Sequence, residues 1–456
     1  MQLDELKHIR RSLPGNGHVV VLDTGALINP EANAMLQALH SRSIGGIDSH
    51  LEKLRKSGPE KFMSMFYIGY GHKSIGDCGS VTIFIEGVSM LVAKAVQDTR
   101  LYNGQESSTR YLDFATQPFG NPAGSENGRE LLESLRAFYL KGLEVMKAAL
   151  PAHHPRQADE KENDWTKAIN ARAFDVMRSM LPAGAATNLA WHTTMRHALD
   201  HLCRLRNHPL QEVRAVAQTT LEALEEMHSS SFKQETFDTT ESYVSSWMKN
   251  SYYYDPAYCP PEVALLRDRV DHGLLQEHRE ILEKRPLKTE LPKFLAECGE
   301  AQFAFLLDFG SFRDIQRHRA VSQRMPLLSD KWGFGAWYLE QMPPELRAET
   351  EKFLAQYMQR VRALGLTSLE LQYYVPMGYQ VACKVTGDLP ALAYLVELRS
   401  GISVHPTLRK VAQDIGRILI ECYGTDGLKL HLDLSPDRFN YARGLQDIVE
   451  KIPTTI

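Results

Sequence analysis

The chain has 456 residues, of which 43% are hydrophobic and 24% charged, and a formal net charge of −4, which allows two or three domains with cores of their own. That balance excludes a globally basic nucleic-acid binder, so no nucleic acid polymer is expected as a partner and any anion must be held by local arginines. Six widely scattered cysteines without a Cys-x-x-Cys pair exclude a zinc ribbon or disulfide framework and fit a reducing cytosol.

From the N-terminus, Met1 to Leu13 mixes Asp4, Glu5, Lys7, Arg10 and Arg11 with its apolar residues, which leaves no signal-peptide apolar region. His18 to Leu22 is a strand-like run. The spacing of Leu36 and Leu39, then Ile47, Leu51 and Leu54, predicts short helices. Val81-Thr82-Ile83-Phe84-Ile85 reads as a strand, and Gly87 to Thr99 carries Val88, Leu91, Val92, Ala95 and Val96 on one helical stripe. The apolar stretch Val81 to Val96 contains Glu86 and Lys94 and is too short to span a bilayer. The expectation is a soluble cytoplasmic protein with no membrane partner.

Residues 115–128 form a Pro/Gly-punctuated loop. Long helices are expected at about 130–150, 165–180, 185–206 and 210–229. Ser229 through Pro261 turns polar and Tyr-rich, with doubled prolines, and reads as a connection. Beyond it lie helical spacing near 262–284, a strand at Gln302 to Leu307 and a long helix from Pro344 to Leu364. The domain expectation is a first repeat at 1–228, a connecting segment at 229–262 and a second, more diverged repeat at 263–456.

The repeat rests on matched landmarks. Leu181-Pro182, Arg206, His208-Pro209 and Val216-Ala217-Gln218 in the first half have counterparts in Val375-Pro376, Arg399, His405-Pro406 and Val411-Ala412-Gln413. From proline to arginine the step is 24 residues in one half and 23 in the other. Agreement at several anchors points to internal duplication.

Two further segments carry the chemistry. Gln97 to Tyr111 ends in Glu106-Ser107-Ser108-Thr109-Arg110-Tyr111, and Gln316 to Leu327 begins with Gln316-Arg317-His318-Arg319 and continues to Ser322. Together they resemble the signature of the flavin-dependent thymidylate synthases, Arg-His-Arg-x-x-Ser-x-Asn-Glu-x-Ser-x-Arg-Tyr, the first keeping its back end and the second its front end. Gly71-His72-Lys73-Ser74, Arg178-Ser179-Met180-Leu181-Pro182 and Glu212-Val213-Arg214 resemble further elements of that family in the right order.

The departures are reciprocal. Asp98-Thr99 stand where the family has Arg-His, Cys78 where it has a histidine, and Met195 where Asn is usual. Arg324, Met325, Leu327 and Ser329 replace the nucleotide-loop residues of the second half, and Gln372 replaces its Arg-x-x-Leu-Pro arginine.

The resemblance implies an α+β fold of two related halves, each a central, mostly antiparallel sheet with long helices. It implies an FAD-dependent enzyme that methylates C5 of a uracil nucleotide, dUMP to dTMP by default, with methylenetetrahydrofolate as carbon donor and NADPH as reductant. It assigns Glu106, Ser108, Arg110 and Arg178 to the nucleotide and Arg206 to the base, where a cation favours the anionic pyrimidine. Arg317, His318, Arg319, Asp388 and Tyr394 fall to the cofactor, whose pyrophosphate suits guanidinium forks.

His72 and His201 are left between a flavin contact and a satisfied core polar group, and Arg399, in Glu397-Leu398-Arg399, between a helical ion pair and function. No metal is expected, because no His/Cys/Asp cluster has ligand spacing. A duplicated chain is expected as a homodimer that mimics the family's tetramer, its sites shared by the two repeats. Two alternatives stay open: a different uracil nucleotide, or a non-catalytic flavin- or nucleotide-binding paralogue.

Overall fold

The computed structural model describes residues 7–14, 17–23, 29–42, 47–69, 73–109, 112–233 and 235–435. Arg110 and His72 lie outside them. The fold is α+β, built on two antiparallel sheets.

The chain divides into two compact units, Met1–Gly120 with Gly184–Tyr253, and Asn121–Ala183 with Tyr254–Ile456. These are not the contiguous blocks 1–228 and 263–456 expected above. Residues 121–183 leave the first block because their helices Glu126–His153 and Glu162–Met177 find their packing partners in the second. Phe138 stacks on Phe353 with ring centroids 4.3 Å apart, and Lys141 pairs with Glu349 at the rim of the same contact.

The first unit's sheet contains β1 (His8–Ser12), β2 (His18–Leu22), β3 (Ser80–Ser89), β4 (Asn103–Glu106) and β5 (Ala186–Thr194), in the order β1-β2-β3-β5-β4. Val81, Ile83 and Ile85 of β3 are fully buried and alternate with part-exposed residues, the period of a strand with one face in the core. Gly87, at φ 67°, lets β3 bulge between Ile85 and Val88 before the helix Met90–Gln97 begins.

The region 185–206, expected as one helix, is strand β5 followed by the helix Met195–Leu205. Thr187, Leu189, Trp191 and Thr193 are all buried on one face, so a two-residue period governs this stretch. Pairing with both β3 and β4 overrides its helical spacing.

The second unit's sheet contains β6 (Ala264–Asp268), β7 (Glu300–Asp308), β8 (Ser322–Arg324) and β9 (Gln380–Asp388), in the order β6-β7-β9-β8. Residues 262–284, expected as helical, begin with β6 and continue as two short helices, His272–Glu277 and Arg279–Lys284. The backbone groups along that edge of β7 need partners, and β6 supplies them.

Strand order repeats from one unit to the other: β2-β3-β5-β4 matches β6-β7-β9-β8. So do the helix starts. Ser89 and Asp308 each cap the helix after the first long strand, accepting from Val92 N and Ser311 N. Thr194 and Asp388 cap the helix after the second, accepting from His197 N and Ala391 N.

The second residues of the next helices meet those first caps, with the chemistry exchanged. Glu212 takes the Ser89 hydroxyl at 2.6 Å, whereas Asp308 takes the Thr407 hydroxyl at 2.6 Å. Within the second unit, Leu181-Pro182 and Val375-Pro376 pair antiparallel: Ala183 N donates to Val375 O and Met377 N to Leu181 O. The two counterpart turns thus bond to each other about a local two-fold.

Candidate functional site

In the second unit, the helix Phe309–Ile315 buries Phe309, Phe312 and Ile315 completely. The chain then turns, and Arg317-His318-Arg319 emerges with both arginines exposed and His318 only 5% exposed. Gln323 fastens the turn by donating to Ile315 O and His318 O at 2.9 and 3.0 Å.

His318 Nε2 accepts from Arg399 Nε at 2.7 Å, and Arg399 Nη2 donates to Asp314 O at 2.9 Å. A guanidinium has only donors, so Nε2 carries the lone pair and the neutral ring carries its proton at Nδ1. That Nδ1 is buried and has no hydrogen-bond partner among the described residues. Burial, and then the charge of Arg399, push the His318 pKa down to about 3. The Tyr394 ring lies 5.8 Å away, tilted, and is about half exposed. Asp388 is the cap of the helix Leu389–Arg399, which carries Tyr394 and Arg399 on successive turns.

The second half's counterpart of the nucleotide loop has other contacts. Arg324 stacks its guanidinium over Tyr254 at 4.1 Å, and Met325 is buried.

Arg178 also lies in the second unit, half-buried, and donates from Nη2 to Ser311 Oγ at 3.1 Å. Ser311 adjoins Thr407 and His405, and Asp308 accepts from Tyr338 and Thr407. Burial works against the Arg178 charge, but Tyr338 and the carboxylates of Asp175, Asp308 and Asp314 hold its pKa above the ordinary value. Beside this network a cleft of about 660 Å³ is lined by Asp308, Trp337, Thr407, Lys410 and Asp414, among others.

In the first unit, the stretch beginning at Gly104 is strand β4 at the sheet edge. Gly104 lies opposite Trp191, where an added Cβ meets Ala190 O at 2.0 Å. Glu106 is buried and accepts from Gln97 Nε2 at 2.8 Å, and Ser108 is half-buried. At the end of the helix Met90–Gln97, where the resemblance has its basic triplet, the ammonium of the buried Lys94 donates to Asp98 at 2.6 Å. The carboxylate in the arginine's place therefore serves a buried cation.

Arg206 ends the helix Met195–Leu205 and forks onto Glu241 of the helix Asp238–Tyr252, with Nε 2.9 Å from one oxygen and Nη2 on the other. Asn207 donates to the same carboxylate at 2.7 Å. These hydrogen bonds raise the Arg206 pKa and lower that of Glu241. The pair lines a cleft of about 890 Å³ with Tyr67, Lys73, Cys203, Arg204 and Lys233, among others. His201 is a core group: it bonds Val96 O at 3.0 Å, its ring meets Trp191 edge-on, and burial lowers its pKa to about 4.

The structure thus gathers His318 and Tyr394 with Arg399, and Arg178 with Asp308, Ser311 and Tyr338. Sequence reasoning missed Glu241, Lys94, Asp308 and Tyr338 as partners. Only Asp98 was legible, as a charge reversal within the signature.

Among the described residues no group of three or more His, Cys, Asp or Glu can hold a metal ion, and no helix is long and apolar enough to cross a membrane.

Comparison with known proteins gives two findings. Residues 28–228 match the family described as thymidylate synthase complementing protein. The chain is also 25% identical over 411 residues to a UPF0159 protein of Chlamydia muridarum, covering 77% of each chain. UPF0159 proteins of Chlamydia pneumoniae (24% over 415 residues, 77% of this chain and 76% of the relative) and Thermoplasma acidophilum (20% over 466 residues, 86% and 91%) are similar too. Coverage of this extent reaches past residue 228, so these relatives share part of the second half.

Proposed function

We propose that this chain, a member of the thymidylate synthase complementing protein family through residues 28–228, uses FAD to methylate C5 of a uracil nucleotide reductively. The default substrate is dUMP, with methylenetetrahydrofolate as carbon donor and NADPH as reductant. The proposed ancestry is an internal duplication, supported by the repeated strand order and helix caps.

The observation that carries the flavin is the orphaned donor at His318. A buried N–H without a partner costs free energy, about 1–3 kcal/mol, unless an acceptor arrives. The exposed Arg317 and Arg319 on either side suit an anion that carries such acceptors. Residues and group fit. When bound and reduced by NADPH, FAD would supply the hydride that turns the transferred methylene into a methyl group. Arg317 and Arg319 hold its charge, His318 donates from Nδ1, and Tyr394 offers a half-exposed ring face.

Glu106, Ser108 and Arg110 are proposed to hold the nucleotide, Arg178 its phosphate side, and Arg206 the base. The halves are complementary in residue content: the nucleotide loop survives in the first and the cofactor triplet in the second. Asp98 bonded to Lys94 suits the loss of anion binding at the first triplet. Glu241 occupies the Nε/Nη2 edge of Arg206, so a pyrimidine would be met by the Nη1 side or would displace Glu241 from its fork.

The purified protein is expected to be yellow, or to become so on incubation with FAD. Arg317→Ala with Arg319→Ala should weaken FAD retention at least tenfold, read by absorbance after gel filtration. Arg206→Ala should suppress tritium release from 5-labelled dUMP with flavin still bound, and Glu241→Gln should lower the dUMP KM. A protein that stays colourless and gains no thermal shift from FAD overturns the reading.

The Glu241 clamp favours one alternative, a flavin-binding paralogue without turnover. Flavin binding with no tritium release in either wild type or Glu241→Gln supports it.

A further inference from the structure

We propose that Arg399 is a positioning residue: it fixes His318 in the single tautomer whose Nδ1–H is presented to bound FAD. This rests on the flavin reading above.

The geometry argues it from both ends. Arg399 reaches His318 Nε2 with Nε at 2.7 Å while Nη2 is tied to Asp314 O at 2.9 Å, so the fork is held at two points and cannot swing away. An arginine never accepts, so it excludes the proton from Nε2. Without it, the two tautomers of a buried imidazole lie close in energy, and the ring can present either a donor or a lone pair. With it, only the donor is left, on an atom that has no partner among the described residues. Such locking of one ring nitrogen by a partner on the other is the usual means of fixing a histidine's role.

The other charged or titratable groups facing His318 are Asp314 and Arg317 from the segment before it and Tyr394 from the helix that carries Arg399. Asp314 makes its contact with Arg399 through the backbone carbonyl, so no carboxylate hydrogen-bonds the ring and the neutral form prevails.

The first half supplies an internal contrast. There the position of His318 is taken by Thr99, which has no ring to orient, and the counterpart arginine, Arg206, is spanned by Glu241. Where the histidine survives the arginine holds it; where it is lost the arginine has found an acid.

The test uses the full-length apoprotein with 15N-labelled histidine. Long-range 1H–15N spectra are expected to show His318 in wild type as a neutral ring protonated at Nδ1 from pH 8 down to pH 5. Arg399→Ala should release it to mixed tautomers and move its protonation to a higher pH than in wild type, since the charge of Arg399 is the second cause of the lowering after burial. Arg399→Lys keeps a donor at Nε2, should keep the lock, and carries the test if the alanine variant melts early.

In FAD titrations, Kd should be constant across that pH range for wild type, and about tenfold weaker and pH-dependent for Arg399→Ala. Mixed His318 tautomers in wild type, or an Arg399→Ala variant with unchanged ring and unchanged Kd, overturn the proposal. A locked ring in a protein that takes up no FAD overturns the flavin reading and, with it, the ligand assigned to Nδ1. A released ring with FAD still tightly bound would leave that reading standing and remove Arg399 from it.

Discussion

Lowering the pH from 7 to 5 is expected to draw about 6 kcal/mol of stability from the buried histidines of the unit Met1–Gly120 with Gly184–Tyr253. Among the described residues of the first unit three histidines are buried: His201 and His228, both lowered to about 4 by burial, and His208, lowered to about 3 by burial and then Lys94. All three are at most 4% exposed. The folded rings refuse a proton that the unfolded rings accept near pH 6.5, so their contribution is complete above that pH. It is lost as the pH falls toward 4 for two of them and toward 3 for the third.

At pH 5 each unfolded ring is almost fully protonated and each folded ring almost wholly neutral, a difference of about 2 kcal/mol per histidine. Against a typical domain stability of about 5–15 kcal/mol, three such losses bring this unit near its limit. In the second unit His318, also lowered to about 3, adds a loss of the same size per ring. Trp191, edge-on to His201 at 5.7 Å, gives the readout. Urea midpoints followed by tryptophan fluorescence that coincide at pH 7 and pH 5 would refute the argument.

Rebuilding the family signature in the first half should damage the protein rather than restore a site. Asp98→Arg with Thr99→His is expected to cost more than the roughly 3–5 kcal/mol of a broken buried pair. Lys94 is 2% exposed and loses the carboxylate it bonds at 2.6 Å, and it also faces a new like charge. Asp98→Asn alone should cost the first amount. Adding Lys94→Met to Asp98→Asn should recover most of it, since an apolar side chain of similar length leaves no charge to satisfy. Thermal or urea melts of the four proteins measure this. A stable Asp98→Arg, Thr99→His variant that binds a second equivalent of FAD would show that the Lys94 pair does not block the site.

The sequence made the strands His18–Leu22 and Val81 to Ile85 and the long helices after 126 and 344 legible, because each has a sustained period and an apolar face. It did not reveal β5, whose alternation of Thr187, Leu189, Trp191 and Thr193 lies inside a stretch that also fits a helix, and only the neighbouring strands decide. Nor did it reveal that residues 121–183 pack with the second half. Their apolar stripe marks a buried face without saying which core it enters.

The basic triplet was readable as a motif, but its working state was not. The Arg399–His318 contact joins residues 81 positions apart, and nothing local encodes it. The same holds for Arg206 and Glu241, 35 positions apart, where two ordinary charged residues on separate helices cancel each other.

The crossed pairing of Ser89 with Glu212 and of Asp308 with Thr407 makes the two strand-and-cap pieces non-interchangeable. A chimaera carrying one unit's strand and cap in the other would set Asp against Glu, or Ser against Thr, at a buried cap. The first product carries two acids at hydrogen-bonding distance and the second has no carboxylate to gather the free backbone amides.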